Sequence, residues 1–457
     1  MREKLWGGRF KEKLDSIILK FTKSIDFDFF LFEYQAQACL AWAKELTRLK
    51  IITSQEFQKT KKAIRQLLSE WDKENIKIDF EYEDIHSFFY ALLRNKIGHT
   101  VDKLHSGKSR NEEIATIMRM FVKDAILDEI GLIEDLQKKI VKKAERYKTV
   151  IIPGFTHLQY AQPLLFAHWL LSYVEQLQRD KSRLLNVYKH TDVLPAGCGA
   201  LGGSSLAINR ENLRKALGFS QLGINSVDMV SDRDFILEYL NCNVILSLHL
   251  SRLSEDFIIY NSPGYGFIEF SDRVTTGSSF MPHKKNPDPL ELIRASSAEV
   301  TSYYVFLSGI LKGLPTTYNR DLQLDKRSLW GSYIVISDVL RVMSLVIQEL
   351  KLNLEKINAH LKDETLYLTD VCESLAKKGI AWKQIHYRIG MLLTEAEKRK
   401  VKISQLDKNE VKKILGIDVD IKKFLNPQHS VRAKKTAGST NPDKVEQEIL
   451  KWKKLLS

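Results

Sequence analysis

Apolar residues recur at three- and four-residue spacing along most of this chain, the period of a helix with one buried face. The spacing predicts helices over Tyr34 to Lys50 and Ser54 to Trp71, with Thr53 or Ser54 as N-cap of the second. EDIHSFFYALLRNKI, from residue 83, starts another helix with acidic residues in its first turn. From Ser109 onward the same spacing runs over far longer stretches: Asn111 to Tyr147, Pro163 to His190, Asp232 to Asn261, Pro289 to Leu311 and Leu329 to Leu350. Five segments of this length, punctuated by prolines and glycines, predict an elongated helical bundle. Beyond about Asn353 the helices shorten, with Gly379 and Gly390 between them, and a polar tail follows around HSVRAKKTAGSTNP. The alternating pattern of a large sheet is missing. The expected fold class is therefore mainly α, in three helical domains: 1-107, mainly helical; 108-352, the bundle of about five long helices; and 353-457, smaller.

Composition narrows the class. A chain of 457 residues exceeds one compact core, which agrees with several domains, and 44% hydrophobic with 28% charged residues is globular. No run of about 18 uninterrupted apolar residues marks a membrane span. The N-terminus lacks the apolar core of a signal peptide, and only Met1 to Lys4 precede LWGGRF at 5 to 10, so a cytoplasmic protein is expected. Cys39, Cys198, Cys242 and Cys372 are too scattered for a disulfide framework or a zinc site. The eleven histidines form no HExxH or Cys/His cluster, and no GxGxxG or P-loop is present, so neither a metal nor an organic cofactor is expected. The net charge of +13 comes from lysines scattered beside glutamates, with only short runs at 59 to 65 and 434 to 435. That pattern is a solvated surface, with neither nucleic acid nor membrane as partner; its positive field suits an anionic small-molecule substrate.

Residues 277 to 287, GSSFMPHKKNP, have neither helical nor strand periodicity and collect hydroxyls, cations and an amide. Such a loop can use Ser278 as a base and hold developing negative charge on Lys284 and Asn286. Alone it would read as a polar connection. It is joined by PGFTHLQYAQP at 153 to 163, EDIH at 83 to 86, SRN at 109 to 111, and LWGGRF. Together these strings resemble the fumarase/aspartase superfamily and, within it, the argininosuccinate lyase family, along almost the whole chain. The resemblance implies a fumarase/aspartase-like helical fold and a cofactor-free, reversible β-elimination of argininosuccinate to fumarate and L-arginine, a step of arginine biosynthesis and the urea cycle. It also implies a homotetramer whose active sites draw on three chains. The alternatives are another fumarate-releasing enzyme, such as an adenylosuccinate lyase, and a catalytically silent, crystallin-like relative.

The elimination has three demands: a base for a weakly acidic proton beside a carboxylate, a holder for the extra negative charge, and a proton for the leaving nitrogen. By resemblance Ser278, His157, Thr156 and Lys284 are catalytic, and histidine suits proton transfer near neutral pH. Which of Ser278 and His157 handles which proton is left open by the sequence. Ser24, Asn111, Thr156, Asn286, Tyr318, Gln323 and Lys326 resemble substrate-binding residues, the last three matching those for the arginine end. Asp84, His86, Arg233 and His283 take supporting positions. The chain departs from the family at Glu112 and Glu113, where an Asp-Gln pair is usual, at His283, where Gln is common, and at Cys198, which replaces a serine.

Overall fold

The structure, a computed structural model, describes Glu12 and residues 14–457, so LWGGRF lies outside the described residues. The described chain is mainly helical. After two short helices, Ser16–Thr22 and Ile25–Asp28, come α1 (Phe32–Arg48), α2 (Ser54–Asp72) and α3 (Ile85–Ile97). Five long ones follow: α4 (Arg110–Arg146), α5 (Phe166–Thr191), α6 (Asp234–Asn261), α7 (Asp288–Leu311) and α8 (Asp325–Glu349). Shorter helices complete the chain, among them α9 (Leu354–His360), α10 (Pro427–Ala433) and α11 (Pro442–Leu455).

Local chemistry sets several boundaries. Thr53 caps α2 in a capping box, its hydroxyl accepting from the Glu56 N–H at 3.1 Å while its own N–H donates to the Glu56 carboxylate at 2.7 Å. Asp84 caps α3 by accepting from the Ser87 N–H at 2.7 Å, so the acidic residues precede the first turn rather than lie in it. Helix α5 starts at Phe166 and not near Pro163, because Gln159–Leu165 is β2, paired antiparallel with β1 (Ile151–Thr156). Sheet is otherwise limited to two more two-stranded ladders among the described residues. The polar stretch after His429 is ordered: Thr440 accepts from the Leu165 N–H at 2.7 Å, and α11 buries Val445, Ile449 and Trp452.

Two compact units divide the chain, and each long helix contributes to both. The first holds residues up to Ile130, Ser182–Ile245 and Ala298–Ile336. Its core includes Phe32, Leu46, Ile64 and Phe89, and also Met118, Val122, Leu240 and Leu329. The second holds Gly131–Lys181, Leu246–Ser297 and Ser337–Ser457, with Leu136, Ile140, Leu170, Phe257 and Met343 buried. Within it, Val371, Leu375, Ile385, Leu392 and Leu415 form a separate cluster. Fully burying one such side chain contributes about 1.5–3 kcal/mol, whereas an exposed ion pair contributes about 0–1, so apolar packing holds the helices together.

The segment Arg320–Glu349 is by length and composition apolar enough to cross a membrane. It begins, however, with a fully buried salt bridge to Arg233 at Asp325, which marks it as a bundle helix.

Deep in the first unit, Glu129 accepts from the Tyr239 hydroxyl and from the Asn243 amide at 3.2 Å, while its second oxygen and Asn243 Oδ1 have no partner among the described residues. Burial pushes its carboxyl up to about 8. The folded state therefore keeps a proton that the unfolded chain releases near 4.5, so folding stability falls as pH rises from about 4.5 to 8 and levels off above. Glu129→Gln, isosteric with the protonated acid, is expected to raise the thermal midpoint by several degrees at pH 8 and by almost nothing at pH 4. Equal shifts at both pH values in calorimetry would contradict a neutral Glu129.

Candidate active site

A connected polar cluster occupies the first unit. Ser24 is buried and donates to Asp28 at 2.7 Å, and its backbone N–H donates to Glu83 O at 2.7 Å. Asp28 in turn accepts from the Ile85 N–H at 3.1 Å; burial and then the nearby Asp84 charge push its carboxyl up to about 7. Asp84 pairs with Arg110 at 2.5 Å, and although burial opposes ionisation, the guanidinium, His86 and the Ser87 donors together hold the carboxyl below its usual range. Asn111 follows Arg110 in the first turn of α4, its N–H donating to the Ser109 hydroxyl at 3.2 Å. His86 is fully buried, and desolvation takes its imidazole down to about 4, so it is neutral at pH 7. Its Nδ1 meets Gln35 Oε1 at 2.6 Å, and its Nε2 has no partner among the described residues.

The arginine-end candidates belong to this neighbourhood. Lys326, 2% exposed, donates to Asp325 at 2.9 Å, and Asp325 also accepts from Arg233 Nε at 2.6 Å. Burial opposes the Asp325 charge, but Lys326 and Arg233 hold the carboxyl below its usual range. Arg233 is thus a buried partner of Asp325, with Nη2 unpaired among the described residues. Tyr318 is half-buried, and burial followed by the Asp325 charge raises its phenol. Gln323 donates to Thr22 O at 3.0 Å, which ties it to the N-terminal arm.

The departures at 112 and 113 have physical counterparts. Glu112 accepts from the Ser109 N–H at 3.0 Å, an N-terminal cap of α4, and from the Gly199 N–H at 2.7 Å. Glu113 accepts from Lys108 at 2.5 Å, Gln35 at 2.7 Å and Tyr90 at 2.8 Å. Burial alone would raise its carboxyl, but Lys108 and these donors take it down to about 2. Gln35 bridges the Glu113 network to His86. Cys198 is buried against Met229 and Val230, a packing role.

Thr156 and His157 lie in the second unit at the tip of the β1–β2 hairpin, where Thr156 pairs with Gln159. His157 and Leu158 form the two-residue turn, with φ of 54° and 56°. Neither is a glycine, so each carries strain of about 1 kcal/mol or more. Below them the register shifts between Pro153 and Phe155; a Cβ on Gly154 would lie 2.3 Å from Gln162 O, so that close approach needs glycine.

The serine loop is also in the second unit. An antiparallel bridge between Thr276 and Asn286 closes its base, with N–H···O contacts of 3.0 and 2.8 Å, and the Asn286 amide reaches Gly277 O at 3.4 Å. Inside it, the N–H groups of Phe280 and Met281 point at Ser278 Oγ, at 3.3 and 3.0 Å. Two donors aimed at one hydroxyl oxygen lower the cost of an alkoxide there. Lys284 and His283 are exposed, and among the described residues no hydrogen bond or ion pair joins either side chain to another residue.

The candidates thus fall into three groups: the cluster of the first unit, the hairpin turn and the serine loop. Asp28, Asp325, Gln35, Lys108 and Glu113 hold the first group together; the first four escaped the sequence reading, and Glu113 was marked only as a departure from the family pattern. The one available signal was Asp325 beside Lys326. Among the described residues no group of three His, Cys, Asp or Glu side chains is placed to hold a metal ion.

Comparison with known proteins adds to this geometry. The family model described as Lyase matches residues 8–302, and the one described as Argininosuccinate lyase C-terminal matches residues 366–432. An argininosuccinate lyase of Sulfurihydrogenibium sp. is 39% identical over 456 residues, covering 100% of this chain and 99% of the relative. That of Bacillus velezensis is 38% identical over 452 residues, with 99% of each chain covered. Among solved structures, an EDDS lyase in complex with formate superposes with a TM-score of 0.84 at 22% identity, over 96% of this chain and 88% of that one. A class II fumarase from Schistosoma mansoni gives a TM-score of 0.74 at 18% identity, over 90% and 92%. At such identities the likeness is one of fold.

Proposed function

The chain belongs to the argininosuccinate lyase family of the fumarase/aspartase superfamily and is a carbon–nitrogen lyase splitting argininosuccinate reversibly into fumarate and L-arginine, and we propose that Ser278, His157, Thr156 and Lys284 carry that chemistry. The observation carrying the assignment is the pair of N–H groups aimed at Ser278 Oγ. Ser278, as the alkoxide they stabilise, removes the proton beside the carboxylate. Lys284 and Asn286 hold the extra negative charge of the intermediate, and His157, with Thr156 beside it, supplies the proton for the leaving nitrogen. Ser24, Asn111, Tyr318, Gln323 and Lys326 bind substrate, with Lys326 as the cation for the α-carboxylate of the arginine end. Asp84, His86 and Arg233 support them through Arg110, Gln35 and Asp325, and His283 lies within the serine loop. The division at 107 and 352 then separates a mainly helical N-terminal domain from the long-helix bundle and the smaller C-terminal domain, a reading supported by the separate C-terminal cluster.

The proposal includes a homotetramer with shared active sites. Leu292, Val305 and Phe306 on α7 are 68%, 61% and 42% exposed, and Leu248, Ile334 and Val342 are also uncovered, apolar surface that a second copy would bury. Cytoplasmic residence, part of the same reading, is supported by four buried cysteines that form no disulfide.

Parallel incubation with argininosuccinate, adenylosuccinate, malate and aspartate tests the reaction. Fumarate, followed by its ultraviolet absorbance, is expected from argininosuccinate alone and equally in the presence of a strong chelator. Release only from adenylosuccinate would overturn the substrate, no release at all would favour a silent relative, and loss on chelation would reveal a required metal.

A further inference from the structure

We propose that Tyr160 and His360 are a positioning pair that fixes the turn carrying His157, an inference that rests on His157 acting in the elimination. The strained His157–Leu158 turn sits one residue pair beyond the Phe155–Tyr160 pair of the hairpin. Phe155 stacks on Tyr160, centroids 5.4 Å apart, and packs edge-on against Tyr265 at 5.1 Å. The Tyr160 hydroxyl meets His360 Nδ1 at 2.5 Å, across 200 residues of sequence. His360 is the last residue of α9 and is itself wedged edge-on against Phe267 at 4.9 Å. The hairpin arm behind the turn is therefore clasped by rings on both strands and locked by one polar contact to a separate helix.

Burial, and then the Lys356 charge, hold the His360 imidazole below its ordinary range, which favours the neutral ring that accepts from the tyrosine. The other acid facing the pair is Asp363, beside Tyr160. Neither Tyr160 nor His360 has a role in the elimination steps above. Their contact instead ties the paired arm that carries the turn to α9, and a loosened histidine loses turnover steeply because proton transfer tolerates little misplacement.

The test measures kcat, KM and thermal midpoint on argininosuccinate for Tyr160→Phe, His360→Ala, the double variant and His360→Gln, with His157→Asn in parallel. Tyr160→Phe removes only the hydroxyl, so it is expected to lower kcat roughly tenfold, with KM changed less than about twofold and the midpoint nearly constant. His360→Ala should match it, and the double variant should be no worse than either single, because both remove one contact. His360→Gln, whose side-chain carbonyl can accept the same hydrogen bond, should recover most of the loss. Full kcat in Tyr160→Phe while His157→Asn is inactive would overturn the positioning pair and leave the catalytic reading standing. So would losses that add in the double variant or that follow a falling midpoint. Activity retained in His157→Asn would overturn both together.

Discussion

Ser278→Ala is expected to lower turnover of argininosuccinate by a factor of about 100 or more while KM moves little, and His157→Asn to do the same. The serine loop is built around one oxygen. Its base is closed by the Thr276–Asn286 bridge, and inside it the Phe280 and Met281 N–H groups converge on Ser278 Oγ. Alanine leaves those donors aimed at nothing and removes the oxygen assigned as base. The loop's anchoring contacts do not involve the hydroxyl, so the fold should survive, which circular dichroism and a thermal midpoint would verify. Because the lost interaction belongs to the transition state rather than to substrate binding, the effect should fall on kcat. Near-wild-type turnover in a folded Ser278→Ala protein would remove the loop from the mechanism.

The long helices were legible because a period of three to four persists over 20 residues or more, a signal that local noise does not erase. Thr53 was legible as a cap for a similar reason: its partner, Glu56, is three residues away. The hairpin was not. PGFTHLQYAQP has two prolines and no clean alternation, and His157–Leu158 is unlike the Asn-Gly dipeptides that announce a tight turn. Contacts over long separations were equally hidden. Asp28 meets the Ile85 N–H 57 residues away, Gln35 meets Glu113 across 78, and Arg233 meets Asp325 across 92. No spacing rule predicts such partners, so the supporting position of Arg233 gave no sign that Asp325 is the residue it holds. The composition of the serine loop pointed to anion chemistry. The reaction itself came from the likeness of whole strings.

Mixing two inactive proteins should restore activity. Asn111 opens α4, and the hairpin with Thr156 and His157 follows the other end of that 37-residue helix, roughly 55 Å long at about 1.5 Å per residue. The serine loop precedes another long helix, α7. If each site takes these segments from three chains of a tetramer, a chain lacking His157 can still lend an intact Ser278 to a neighbour's site, and the reverse. His157→Asn and Ser278→Ala proteins, denatured together and refolded, should then recover up to about a quarter of wild-type activity, since with random assembly that share of sites receives both intact residues. Either protein refolded alone should stay inactive. Recovery should rise and fall with the mixing ratio, peaking near equal amounts, which separates true hybrids from contamination by active protein. A fully active monomer in sedimentation, or no recovery in hybrids verified by mass, would place all three segments within one chain and end the shared-site reading.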